Sequence, residues 1–208
     1  MFANFLLAPR GAVAIAAEAT RVAGLLSVIA GAIFWSPVEV ALFALTLLGL
    51  CLPKYLGLRA GLDAAIGVAL LVAAWSSVID LYTTVAWWDV VVHFALNGLI
   101  AAVAFILFEK FSGFRTGVGR TGSRVAVIVL TATFGLAVGV LWEFGEWAGH
   151  TLIDEAIFVN YDDTIGDLAS GGAGAVLAGV MLAVGARVYA DDSGAPAAAP
   201  ARDGVRAE

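Results

Sequence analysis

Long apolar runs, separated by short polar or proline-containing breaks, make up most of this chain. Residues 22–35 are apolar up to Ser36-Pro37, and residues 38–52 form a second run closed by Pro53. Both are short for a span of roughly 20 residues. They read as a helical hairpin whose first helix begins before Arg21, with that side chain snorkelling or pairing with Glu18. Four more runs follow, at about 62–82, 89–109, 124–148 and 164–188. With the hairpin helices at 14–35 and 38–53, they predict an all-α polytopic membrane protein of about six transmembrane helices in one domain, residues 1–190. Residues 191–208 are Ala/Pro-rich and polar, and read as a disordered cytoplasmic tail.

Composition supports the pattern. Hydrophobic residues make up 62% of the 208 residues and charged residues 13%, about half the charged share of a soluble domain. The cell membrane is therefore the expected location. Residues 1–20 do not read as a cleavable signal, because Glu18 and Arg21 interrupt any apolar core. The single cysteine, Cys51, allows no intramolecular disulfide. A net charge of -6 without a basic cluster argues against nucleic acid as a partner.

Charge also sets an orientation. Arg10, Lys54, Arg59, Lys110, Arg115, Arg120, Arg124 and Arg187 fall on alternate connections, while residues 36–39, 83–88 and 151–163 carry no Lys or Arg. The positive-inside rule then places both termini in the cytoplasm.

On that topology Asp80, Asp89, His93, Glu143, Glu146, His150, Asp163 and Asp167 gather toward the extracytoplasmic ends of spans three to six. Counting about 1.5 Å per residue from the cytoplasmic basic residues puts Asp80, Asp89, Glu143 and Asp167 at about 29–32 Å, near the far hydrocarbon boundary. Residues that merely mark a membrane boundary would share such a depth, and Asp89 and Asp163 also suit the first turn of a helix. Glu143 and Glu146 fit less well. They repel each other at i, i+3, and they stand where their helix is expected to end, a position that disfavours anions.

The stripe Asp89-x-x-x-His93-x-x-x-Asn97 lies along one helix face. Carboxylates and imidazole projecting from several helices are how bundles hold metal ions, and an oxygen-rich set with one or two His suits Mg, Mn, Ca, Zn or Fe. Asp89, His93, Glu143, Glu146 and Asp167 are the candidate metal ligands. With Asp163 they are also the candidate catalytic acid/base groups, and Asn97 is expected to support them. A divalent metal ion is thus the cofactor to test. The expected function is a metal-dependent enzyme acting on a lipid-linked or envelope precursor. A proton- or cation-coupled transporter is the alternative, since intramembrane acids also serve as relays.

Gly117-x-Gly119-x-x-Gly122 has no preceding strand and reads as a glycine-rich turn rather than a nucleotide loop. Gly135-x-x-x-Gly139 and the glycines at 171, 172, 174 and 179 predict close packing of spans five and six.

Three motifs in order, Asp89-x-x-x-His93, Trp142-Glu143-x-x-Glu146-Trp147 and Asp163-x-x-x-Asp167 followed by Gly174, resemble the YjdF-like family of bacterial inner-membrane proteins and, more remotely, the VanZ-like proteins. The resemblance covers spans three to six and implies a multi-pass inner-membrane protein. It brings no reaction with it. VanZ-like proteins commonly carry Asn four residues after the final Asp, where this chain has Gly171, so their link to glycopeptide resistance is not carried over.

Overall fold

The structure is a computed structural model describing residues 2–113, 121–155 and 157–185. Arg115, Arg120, Arg187, the 117–119 part of the glycine turn and the 191–208 tail lie outside the described residues. Those that are described form helices joined by short connections, with no strands among them. A one-turn helix α1 (Phe2–Phe5) precedes α2 (Ala12–Phe34), α3 (Pro37–Leu56) and α4 (Ala60–Val78). A second one-turn helix, α5 (Leu81–Thr84), leads into α6 (Trp88–Ser112), α7 (Thr121–Leu152) and α8 (Tyr161–Ala183). The six long helices are each long and apolar enough to cross a membrane.

Several boundaries have plain local causes. Ser36 caps α3 by accepting from the Val38 amide at 3.2 Å, while Glu39 accepts from the Ser36 amide at 2.9 Å. This is a capping box, with Pro37 at the first helical position. At the other end α3 does not stop at Pro53, as its sequence suggests. It runs on to Leu56 and closes at Gly57, whose φ of 73° is left-handed. The left-handed glycine, rather than the proline, therefore marks the stop.

The third span is shorter than its apolar run. It ends at Val78, and Asp80 takes a left-handed φ of 59° before the chain turns into α5. Asp80 is exposed to water, so it needs no counter-charge. The fifth span is longer than expected and continues to Leu152. Glu143 and Glu146 therefore lie more than a turn from the helix end, beyond the reach of its dipole. The dipole conflict inferred from sequence does not exist; only the repulsion between the two acids remains.

The long helices sort into two groups of three. α2, α3 and α4 pack on one another, as do α6, α7 and α8, and contact between α4 and α6 joins the groups. Leu56, Leu58, Ile66, Val103 and Ile106 form a buried cluster at that junction, on the end of the bundle opposite α5.

The first group is fastened by charge. Arg21 donates from Nη2 to both Asp63 oxygens, at 2.5 and 2.7 Å, and from Nη1 to the Ala17 carbonyl at 2.9 Å. Glu18 lies 3.6 Å from Arg21 and 2.5 Å from Lys54 Nζ. The expected Glu18 partner is thus present but secondary, and the main partner of Arg21 is Asp63, on α4.

In the second group the glycines let backbones touch. Gly174 of α8 lies against the Phe94 carbonyl of α6, and a Cβ at Gly98 would stand 2.8 Å from the Gly174 oxygen. Gly179 faces Ile128 of α7 at 2.9 Å on the same measure. The expected approach of α7 and α8 is found, and α8 packs equally closely on α6. With lipid as solvent there is no hydrophobic drive between helices, so such close contact is a main source of association.

Candidate functional site

α6 starts at Trp88, which puts Asp89 in its first turn, His93 one turn on and Asn97 two turns on, along one face. α8 starts after Asn160, whose side chain accepts from the Asp162 amide, and this places Asp167 about two turns into the helix. Because the glycines bring α6 and α8 into backbone contact, Asp167 meets the Asp89–His93 face. His93 Nε2 lies 3.3 Å from Asp89 Oδ1 and 3.8 Å from Asp167 Oδ2. Asp167 is buried, with 6% of its surface exposed, and the other two are half-buried.

One ligand atom from each of these three residues lies within 4.8 Å of the other two. A metal held at about 2.0–2.2 Å by N and O donors has those donors roughly 3–4 Å apart, so the set fits a small divalent ion with little adjustment. Three protein ligands leave coordination positions for water or substrate, the pattern of a catalytic rather than a structural site.

Asn97 forms the floor. Its Nδ2 donates to the Gly135 carbonyl of α7 at 3.1 Å. A Cβ at Gly171 would stand 2.5 Å from that same nitrogen. Position 171 is thus glycine because a carboxamide from α6 occupies the space beside it. Ser170 Oγ donates to the Val90 carbonyl at 2.5 Å, tying α8 to the first turn of α6 next to Asp89.

The glutamates sit on α7, half-buried, outside the group of three. Glu146 is within electrostatic reach of His93 and Asp89, is repelled by Glu143, and accepts a hydrogen bond from the Trp142 side chain. Asp163, near the start of α8, is half-buried and feels Asp89 and His93. His150 goes elsewhere: its Nδ1 is 2.6 Å from the Ile157 carbonyl, so it pins the α7–α8 loop instead of extending the glutamate stripe.

Sequence reasoning missed Tyr82. It follows α4 on the one-turn α5, and its hydroxyl donates to the Ala73 carbonyl at 3.1 Å. Burial, reinforced by the negative charge of Asp89, Glu146 and Asp167, pushes the Tyr82 phenol well above its usual range. Its only signal in the sequence is a tyrosine beside an aromatic connector, which an interfacial belt residue would also show.

Toward the other end of the bundle the described buried residues of the second group are mostly apolar. Below Asn97, α6 buries Ala101, Ala102, Phe105 and Ile106, and the buried hydroxyl of Thr131 is spent on the Val127 carbonyl.

Neither the curated proteins nor the solved structures contain a match to this chain. A family model described as "Predicted membrane protein (DUF2238)" matches residues 12–188, which takes in all six long helices and every residue of the site. The YjdF-like resemblance is to this same family, and no VanZ-like similarity is found. The chain therefore belongs to the DUF2238 family of predicted membrane proteins.

Proposed function

We propose that this protein is a metal-dependent membrane enzyme acting on a lipid or lipid-linked envelope precursor at the extracytoplasmic face of the cell membrane. The observation that carries this is the meeting of Asp89, His93 and Asp167 from two helices, with one ligand atom of each within 4.8 Å of the others. The positive-inside count supports the orientation, which puts the α5 end of the bundle outside.

In this reading Asp89, His93 and Asp167 hold a divalent ion. Such an ion would supply Lewis-acid chemistry toward a phosphoryl or carbonyl oxygen and would make bound water more acidic. Glu146, beside the ligands but outside them, exchanges protons with water and leaving group. Glu143 and Asp163 add negative charge that favours the cation, and Asn97 keeps the α6–α7 spacing under the site. The surrounding acids also mean that a phosphate-bearing substrate would bind through the metal, since the bare carboxylates repel it.

The mostly apolar core below Asn97 favours an enzyme over a transporter, because a coupled transporter needs polar steps to the far side. Metal analysis of purified protein tests the proposal. About one Zn, Mn, Mg or Fe per chain is expected in wild type and none in His93→Ala or Asp167→Asn, the behaviour of a three-ligand site. A wild-type protein that takes up no divalent metal would overturn it.

A further inference from the structure

We infer that the groove between α4 and α6 holds an acyl chain of the lipid whose polar part reaches the Asp89–His93–Asp167 cluster. This rests on the metal-site reading above and adds what the substrate must look like.

A groove of about 490 Å³ runs between the two groups of helices. Ala65, Val68 and Val72 form part of its α4 wall, and Trp88, Ala95 and Leu99 part of its α6 wall. Alanines on both sides open the gap, as side chains of one carbon leave room that leucines would fill. Val68, Val72 and Ala95 are exposed, so the groove opens sideways toward the bilayer rather than into the bundle. A lateral apolar opening within a membrane is filled by hydrocarbon, because water has no polar partner there.

Its length and position select the chain. From Trp88 to Leu99 is 11 residue steps, about 16 Å of helix, against about 15 Å for half the hydrocarbon thickness. The groove therefore spans one leaflet, from the aromatic level at Trp88 to the bilayer middle. Trp88 is held there by its Nε1, which donates to Ser76 Oγ at 2.8 Å.

On α6 the groove stripe and the site stripe interleave. Trp88 immediately precedes Asp89, and Val92 immediately precedes His93. Successive residues are about 100° apart around a helix, so a molecule leaving the groove at Trp88 turns around the start of α6 to reach Asp89. Tyr82 stands at that corner, with its hydroxyl on the Ala73 carbonyl of α4 and its phenol within electrostatic reach of Asp89. An apolar slot one leaflet long, opening at its boundary end beside a charged cluster, matches an amphiphile. It would not suit a free polar metabolite.

Photolabelling of the full chain in nanodiscs tests this. The discs contain phosphatidylethanolamine and phosphatidylglycerol, with a small fraction of phosphatidylglycerol bearing a diazirine on one acyl chain. Adducts are mapped by mass spectrometry after irradiation. The expected result is several-fold more adduct on Val68, Val72 and Val91 than on Leu45 and Leu48, which are exposed on α3 away from the groove. Ala95→Phe, at an exposed groove position, should bring groove labelling down to the α3 level without unfolding the protein. A diazirine diacylglycerol run in parallel should label the groove equally if the chain is what the groove recognises.

Equal labelling of groove and α3 in wild type overturns the inference. If the protein holds metal but labels uniformly, the groove proposal alone fails. If it labels the groove selectively but never binds metal, the metal reading fails and the lipid groove stands.

Discussion

Gly98 of α6 and Gly174 of α8 cross with their backbones in contact, and a Cβ on Gly98 would stand 2.8 Å from the Gly174 carbonyl oxygen. That crossing lies about one turn below His93, so it sets how near Asp167 comes to the imidazole. In a soluble protein the two helices could be held together by burying leucine or phenylalanine against each other. In lipid, packing by small residues takes over that work.

Gly174→Ala is therefore expected to damage the site without touching a polar group. The added methyl meets the Phe94 carbonyl, a backbone atom that cannot rotate away. Overpacking of this kind costs about 1–3 kcal/mol and pushes the helices apart. The prediction is a protein that still inserts and is still helical by circular dichroism, with metal affinity reduced at least tenfold. Gly166→Ala, at a position with open space around it, is the control and should change neither. Metal titration of the two variants side by side decides it.

The two classes of acid should also separate. Asp167 is one of the three residues whose ligand atoms cluster, while Glu146 lies beside that cluster. Asp167→Asn should lose metal and activity together. Glu146→Gln should keep its metal and lose turnover, by about 10²–10⁴-fold if it transfers protons in the rate-limiting step. Loss of metal from Glu146→Gln would instead make Glu146 a ligand, and the role assigned to it would fall.

The six spans were legible because an apolar run of membrane length has few other readings. The meeting of Asp89 and His93 was legible from their i, i+4 spacing alone. Asp167 was only inferable by depth, since the residues that dock α8 on α6 are glycines, whose pattern signals closeness but not which helix is approached. The glutamates were noticed for a partly mistaken reason: Gly149 reads as a helix stop just after them, but α7 runs through it to Leu152. Tyr82 and Asp63 were missed. A lone Arg21 in an apolar run demands a counter-ion, and Glu18, close in sequence, hid the better one on another helix.

Tyr82 gives a spectroscopic prediction. Its folded-state pKa is raised first by burial, which disfavours the phenolate, and further by the negative charge of Asp89, Glu146 and Asp167. An unfolded chain releases that proton near pH 10, so above that pH the unfolded state binds fewer protons than the folded one, and stability falls as pH rises. Below pH 10 both states keep the proton and the effect vanishes. An ultraviolet tyrosinate titration should show Tyr82 resisting ionisation until the protein unfolds. Tyr82→Phe should remove the resistant step and shift alkaline unfolding to higher pH, while losing about 0.5–1.5 kcal/mol at neutral pH from the bond to the Ala73 carbonyl. A titration of the variant that still shows a resistant tyrosine would assign it elsewhere.

The Arg21–Asp63 pair tests how the first three helices are held. Both residues are buried, with 8% and 7% of their surface exposed, and the guanidinium gives two short bonds to the carboxylate. Asp63→Asn keeps the shape and removes the counter-charge, leaving a cation in a low-dielectric interior with Glu18 at 3.6 Å as its remaining acid. Breaking such a pair costs about 3–5 kcal/mol, whereas replacing both partners with apolar residues of similar size is often neutral. Asp63→Asn should thus lower the midpoint of thermal unfolding in detergent well below that of wild type, and Arg21→Met with Asp63→Leu should recover most of the loss. Both variants should keep full metal binding, because the cluster sits on α6 and α8 while Arg21 and Asp63 lock α2 to α4. Metal lost in step with the Asp63→Asn destabilisation would mean that the two groups of helices fold as one unit, with the charge lock on α2–α4 supporting the site from across the α4–α6 junction.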